Sequence, residues 1–281
     1  MIICSRIADL RRQVREWRAQ GDRIALVPTM GNLHPGHLEL VRRAQRPGQR
    51  VLVSLFVNPL QFGPREDFAA YPRTPEADRR LLEQVGADLQ FTPAADEVYP
   101  RGLSAHTRVE VPEISDMLCG ASRPGHFAGV ATVVCKLLQM AQPDLALFGE
   151  KDFQQLLVIR RMVEDLCMPV EIQGLATVRE ADGLAMSSRN AYLTAEERAQ
   201  APRLYPALRN ASAALIQGCS RPDVERIARA ELESAGFRPD YVSVRRAQDL
   251  AVPEPGDREL VILAAAYLGR ARLIDNLKLN C

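Results

Sequence analysis

Apolar and polar positions follow two rhythms through the first two-thirds of the chain. Continuous apolar runs at Ile24 to Val27 and Val51 to Val57 read as strands covered on both faces, as in a parallel sheet. Asp88 to Thr92 and Asp144 to Phe148 fit shorter strands of the same kind. Other stretches are spaced like one face of a helix: Ile7, Leu10, Val14 and Trp17; Leu38, Leu40, Val41 and Ala44; Val130 to Met140; then Leu156, Leu157, Ile159 and Val163. Thr74-Pro75 marks another helix start, with Thr74 at the N-cap position and Pro75 at the first helical one. Strands alternating with helices predict an α/β fold with a doubly wound parallel sheet.

The rhythm changes after about Val178. Thr194-Ala-Glu-Glu197 is a capping box, predicted to open a long helix through Leu204, Leu208 and Leu215. Arg221-Pro-Asp223 starts another, which ends at Gly236. Strand-like runs follow at Tyr241 to Val244, Leu260 to Ala266 and Leu273 to Leu279, the first two separated by Pro253-Glu-Pro-Gly256. Helices followed by hairpin-type strands predict a smaller α+β domain. We place the division at residues 1–177 and 178–281.

Composition narrows the class further. With 281 residues the chain can bury a substantial core, and a net charge of +1 argues against a nucleic-acid coat or a polybasic membrane anchor. The six cysteines, Cys4, Cys119, Cys135, Cys167, Cys219 and Cys281, form no C-x-x-C pair and suit a reducing compartment. No segment reads as a signal peptide or a membrane span, so a cytoplasmic protein is expected.

The chemistry concentrates in turns that follow predicted strands. After Val27 comes Pro28-Thr-Met-Gly-Asn-Leu-His-Pro-Gly-His37, with the apolar helix face starting at Leu38. Two histidines thus sit in a strand-to-helix turn, where open α/β sheets bind ligands and free helix N–H groups favour an anion. Gly36 allows close approach. Two histidines on a solvated turn are the plain alternative, but strand, glycine and helix register agree on a site. Val57-Asn58-Pro-Leu-Gln61 follows the next strand and offers two carboxamides, donors and acceptors for a substrate with hydroxyl and carboxylate groups. Taken alone, that segment reads rather as an ordinary Asn-Pro turn.

Gly149-Glu150-Lys151-Asp152 repeats the strand–glycine–helix arrangement. Lys151 is a point charge for a phosphate, Asp152 a helix cap or a partner for a nucleotide hydroxyl, and Gln155 lies one turn on. A third loop, Asp182 to Asn190, carries Met186, Ser187, Ser188 and Arg189 and could wrap a polyphosphate. His106 reads as a surface residue. His126 either caps the helix it precedes or reaches the site. P-loop, G-x-G-x-x-G, G-x-S-x-G and H-E-x-x-H patterns are absent.

Together these segments, with Arg123-Pro-Gly-His-Phe127 and Val178-Arg-Glu-Ala-Asp-Gly-Leu-Ala-Met-Ser-Ser-Arg-Asn190, closely resemble the pantoate–β-alanine ligase family over essentially the whole chain. The departures are small: Pro35 stands where that family commonly has Glu, and Asn32 where it has a small residue or Tyr. The resemblance implies a Rossmann-like domain binding ATP and pantoate, a C-terminal lid and a cytoplasmic homodimer. It also implies an ATP- and Mg²⁺-dependent condensation of pantoate with β-alanine through a pantoyl-adenylate, with neither nucleic acid nor membrane as partner. By likeness ATP is bound by Met30, Gly31, Asn32, Leu33, His34, Pro35, Gly36, His37, Gly149, Glu150, Lys151, Asp152, Val178, Met186, Ser187, Ser188 and Arg189. Within that set His37, His34, Lys151 and Arg189 are the catalytic candidates; Gln61, Gln155 and Asn58 are those for pantoate. Metal ligands cannot be named from the sequence. The competing reading is an HxGH adenylyltransferase that makes a nucleotide conjugate and stops.

Overall fold

The computed structural model describes residues 1–64 and 66–280, so Cys281 lies outside the described residues. The chain forms two compact units, one from Met1–Glu150 with Val158–Ala176, the other from Lys151–Leu157 with the chain from Thr177 on.

The first unit is built on β1 (Ile2–Cys4), α1 (Ile7–Ala19), β2 (Arg23–Thr29), α2 (Pro35–Ala44), β3 (Gln49–Leu55), α3 (Pro75–Val85) and β4 (Leu89–Phe91). The short helices α4 (Ala95–Val98) and α5 (Cys119–Ser122) precede α6 (His126–Ala141), β5 (Leu145–Gly149), α7 (Phe153–Asp165) and β6 (Glu171–Leu175). The strands form one sheet in the order β1-β4-β3-β2-β5-β6, with all pairs parallel. This is the α/β sheet the alternating pattern predicts. Its middle strands are sealed: Ile24, Ala25, Leu26, Val27, Leu52 and Val53 have no accessible surface. Truncating one such leucine costs about 2–5 kcal/mol.

β2 runs two pairs beyond the apolar run that ends at Val27, with Pro28 opposite Ser54 and Thr29 opposite Leu55. Pro28 lies past Ala25 and Leu26, the residues β2 shares with β5, so its missing N–H costs no ladder bond on that side. Parallel order puts the ends of β3, β2 and β5 side by side along one sheet edge.

The second unit holds α8 (Ala195–Gln200), α9 (Leu204–Ile216), α10 (Arg221–Ser234), β7 (Arg238–Arg246), β8 (Glu259–Leu268) and β9 (Ala271–Asn280). The three strands make an antiparallel sheet in chain order, the α+β arrangement expected. The capping box at Thr194 is formed: Glu197 N–H donates to Thr194 Oγ1 at 3.2 Å and Thr194 N–H to Glu197 Oε2 at 2.8 Å. The long helix expected from it is interrupted. Pro202 falls in a 3₁₀ turn, Ala201–Arg203, because its ring and missing N–H are incompatible with a helix interior. No helix among the described residues is long and apolar enough to cross a membrane.

Candidate active site

The loop from Met30 to His34 leaves β2 and is held by a residue the motif does not contain. Asp78, on α3 and 2% exposed, accepts from Asn32 N–H at 2.9 Å and Leu33 N–H at 2.8 Å. The Thr74 hydroxyl, expected to cap α3 as an acceptor, instead donates to Asp78 Oδ1 at 3.1 Å. Gly31 has φ +79°, and a Cβ there would stand 3.0 Å from Asp78 Oδ2, so the site excludes a side chain twice over. Gly31 N–H donates to Thr29 Oγ1 at 3.2 Å and His34 N–H to His37 Nδ1 at 3.3 Å. Most amides of this loop are therefore spent inside the protein. What remains is the start of α2, where the first N–H groups of a helix lack intrahelical partners and favour an anion.

That last bond also fixes a tautomer. His37 Nδ1 accepts, so the neutral ring carries its proton on Nε2 and offers it as a donor. The rings of His34 and His37 stack at 3.9 Å between centroids.

The turn after β3 is a 3₁₀ helix, Pro59–Gln61, and here the expectation for Asn58 is corrected. Asn58 is 1% exposed and both ends of its carboxamide are engaged. Nδ2 donates to Gly129 O at 3.0 Å and Gln61 Oε1 at 3.2 Å; Oδ1 accepts from Tyr99 Oη at 2.8 Å and Leu60 N–H at 3.3 Å. A buried amide so satisfied holds the turn and has nothing left for a substrate. Gln61 is the half-buried partner of the two, with Nε2 2.9 Å from Met30 Sδ. α6 presses directly on this turn: a Cβ on Gly129 would lie 2.2 Å from Leu60 O.

His126, for which cap and site were both open, fixes the same turn. Its Nδ1 lies 2.7 Å from Gln61 O and its Nε2 3.0 Å from Arg123 Nη1. Arginine can only donate, so Nε2 accepts and Nδ1–H donates to the carbonyl. Arg123 also binds Gln61 O at 3.2 Å and grips Glu66 through two bonds of 2.6 and 2.5 Å. Burial pushes the Glu66 carboxyl up, but the Arg123 guanidinium, with help from the Gly63 backbone, outweighs it and holds it below the ordinary value. His106 sits edge-on to Tyr99 at 5.3 Å, where the sequence suggested open surface. Burial raises the Tyr99 hydroxyl, which keeps it a donor to Asn58. At the end of β5, Gly149 has open space where a side chain would stand, and Glu150 begins the next turn.

In the second unit Lys151 and Asp152 lie in the 3₁₀ turn that starts α7. Lys151 Nζ is 3.7 Å from Asp152 Oδ2, and its side chain is 19% exposed. Gln154 is buried and Gln155 half-buried. Val178 and Met186 close a hairpin, Met186 N–H donating to Val178 O at 3.0 Å, with a bridge between Arg179 and Ala185. Beyond it Ser187 Oγ accepts from Arg189 N–H at 3.3 Å, and Ser188–Tyr192 form a 3₁₀ turn. Val178, Met186, Ser187, Ser188 and Arg189 are thus consecutive parts of one hairpin and its tail.

The candidates therefore fall in two groups: His34, His37, Met30 and Gln61 in one unit, Lys151, Gln155 and the hairpin residues in the other. Sequence reasoning missed Asp78, which reads as an ordinary acidic residue of a helix's first turn. It also missed the work of Arg123 and Glu66. No group of three or more His, Cys, Asp or Glu side chains among the described residues could hold a metal ion.

The paired-histidine helix start and the carboxamide turn lie at adjoining strand ends of a parallel sheet, the place where open α/β sheets bind their ligands. Comparison with known proteins gives the family. The family model described as pantoate-beta-alanine ligase matches residues 2–278. Pantothenate synthetase of Shewanella oneidensis is 59% identical over 280 residues, covering 100% of each chain. That of Thioalkalivibrio sulfidiphilus is 61% identical over 274 residues, covering 97% of this chain and 96% of its own. Among solved structures, pantothenate synthetase from Thermus thermophilus superposes with a TM-score of 0.92 at 47% identity, covering 99% of both chains. Pantoate-beta-alanine ligase from Francisella tularensis, complexed with beta-gamma ATP and β-alanine, gives 0.83 at 34% identity, over 99% of this chain and 97% of that one. The chain belongs to the pantoate–β-alanine ligase family.

Proposed function

We propose that the chain condenses pantoate with β-alanine in two steps driven by ATP. A carboxylate is a poor electrophile for an amine in water, so it must first be activated. A pantoate carboxylate oxygen attacks the α-phosphorus of ATP and pyrophosphate leaves. The free amine of β-alanine then attacks the acyl carbon of the pantoyl-adenylate, giving the amide and releasing AMP. No enzyme nucleophile is required. The protein's task is positioning and supplying donors to developing charge on phosphate oxygens.

The observation that carries this reading is the helix start of α2. His37 presents Nε2–H as a donor there, its ring fixed by the His34 main chain and stacked on the His34 ring. Gln61, clamped at its carbonyl by Arg123 and His126, is assigned to pantoate together with Gln155. Lys151, Ser187, Ser188 and Arg189 are assigned to the triphosphate, with Lys151 exchanging part of its pairing with Asp152 for a phosphate. Met30, Gly36, Gly149, Glu150, Val178 and Met186 complete the nucleotide contacts. Asn32 and Leu33 contribute through groups other than their amides. One well-placed donor is worth roughly 3–4 kcal/mol of transition-state stabilisation, against about 0.3–1 kcal/mol for a helix N-terminus. The side chains dominate.

Mg²⁺ fits as part of the nucleotide. The described residues offer no three-ligand cage, and magnesium is commonly held by substrate phosphates with one or two carboxylates. Bound, it would neutralise phosphate charge. A cytoplasmic homodimer belongs to the same reading. Incubation with ATP, pantoate and β-alanine is expected to yield AMP and pyrophosphate; a nucleotide conjugate as product would favour an adenylyltransferase instead.

A further inference from the structure

Two adjacent residues of β9, Asp275 and Asn276, are 3% and 8% exposed, polar side chains buried in a strand that is otherwise largely apolar inside. Buried polar residues of this kind call for an explanation. Successive side chains leave a strand on opposite faces, so these neighbours address different segments. Asn276 Nδ2 donates to the main-chain carbonyl of Lys151 at 3.0 Å. Asp275 binds Arg179 through two bonds, Oδ2 to Nη1 at 2.6 Å and Oδ1 to Nη2 at 2.9 Å. Its Oδ1 also accepts from Asn276 N–H at 2.8 Å, which ties the two residues together.

Arg179 passes the constraint on. It donates to Gly183 O at 3.1 Å across the hairpin, and its guanidinium lies 3.5 Å from the centre of the Tyr205 ring. The hairpin it braces, Val178 to Met186, runs directly into Ser187, Ser188 and Arg189. A buried ion pair is a poor way to gain stability, since apolar residues of the same volume serve as well or better. What it gives is one fixed geometry. We infer that Asp275 and Asn276 are positioning residues for adenylate formation: one strand sets the Lys151 main chain and the hairpin leading into Ser187–Arg189 in mutual register. The inference rests on the functional reading above, which assigns both segments to the triphosphate.

The test is single-turnover pyrophosphate release from Mg-ATP and pantoate in the full chain, comparing wild type with Asn276→Asp, Asn276→Ala and Arg179→Lys. Asn276→Asp keeps the shape and removes the donor, so it decides the matter if Asn276→Ala does not fold. Misplacement of a reacting group by a small distance costs up to on the order of a hundredfold, and a loss of about tenfold to a hundredfold is expected in each variant. The KM for pantoate should change by less than about twofold. A second readout is direct, because Lys136, Lys151 and Lys278 are the only lysines of the chain. Acylation of Lys151, followed by mass spectrometry, should be slowed by Mg-ATP in wild type and in Arg179→Lys, and much less so in the Asn276 variants. Folded variants with wild-type rates and wild-type protection would overturn the inference. A wild-type chain that releases no pyrophosphate from pantoate and ATP would overturn the functional reading itself.

Discussion

The two units solve one problem with opposite chemistry. In the first, a carboxylate, Asp78, gathers main-chain N–H groups of the Met30–His34 loop. In the second, a carboxamide, Asn276, donates to a main-chain carbonyl at Lys151. The difference follows from what each loop must present. Taking up the amides of Asn32 and Leu33 leaves the first loop, on the function proposed above, to act through imidazole side chains and the helix start. Holding the carbonyl of Lys151 leaves its ammonium untouched. In both cases the residue that fixes the loop lies far off in sequence and contacts its main chain rather than its side chains.

Removing the presented groups should cost most. His37→Ala and Lys151→Ala are each expected to slow pyrophosphate release about a hundredfold to a thousandfold while urea unfolding stays close to wild type. Equal losses would sharpen the comparison, and a normal rate in either variant would remove that unit's donor from the chemistry. Next comes the support of the first loop. Asp78→Asn turns an amide N–H₂ toward loop N–H groups and leaves a donor unmet, at a cost of about 1–3 kcal/mol in urea unfolding together with slower turnover. Asp78→Asn as stable and active as wild type would break the parallel with Asn276.

Gly129→Ala tests the turn after β3. The added methyl meets Leu60 O, so Gln61 must shift. We expect a pantoate KM raised about tenfold with a smaller change in the rate at saturation, read from steady-state kinetics. The smallest effect concerns pH. The folded-state pKa of Glu66 is depressed below its ordinary 4.5. The Glu66–Arg123 pair therefore stabilises the fold above pH 4.5, and that contribution is lost as pH falls through the lower folded value. In Glu66→Gln the acid limb of a stability–pH curve should flatten by a few tenths to about 1 kcal/mol, the scale of a partly exposed pair. An unchanged limb would show the clamp on Gln61 to be electrostatically idle.

Much of this was legible in the sequence where periodicity is strong. β2, β3, α1, α2, α6 and the three-stranded sheet fall where their apolar spacing puts them. β1 and β6 were not foreseen: Ile2 and Ile3 are exposed on an edge strand of three residues, and Glu171–Leu175 has no fully buried position. Neither segment carries the apolar run of a central strand. The motif loops could be read because their residues are contiguous. Asp78 and Asn276 could not, since they act 46 and 125 residues from their partners. A signal existed for the second: Asp275-Asn276 breaks an apolar strand with two polar residues in a row. Asn58 misled because an exposed and a saturated carboxamide look alike in sequence.

The central claim is that pantoate alone, without an amine, discharges pyrophosphate from ATP. Pantoate labelled with heavy oxygen in its carboxylate, incubated with Mg-ATP and stoichiometric protein before β-alanine is added, tests it most directly. We predict one pyrophosphate per active site in the first phase, then labelled AMP and pantothenate once the amine arrives. Pyrophosphate that appears only with β-alanine present, or AMP free of label, would contradict the account.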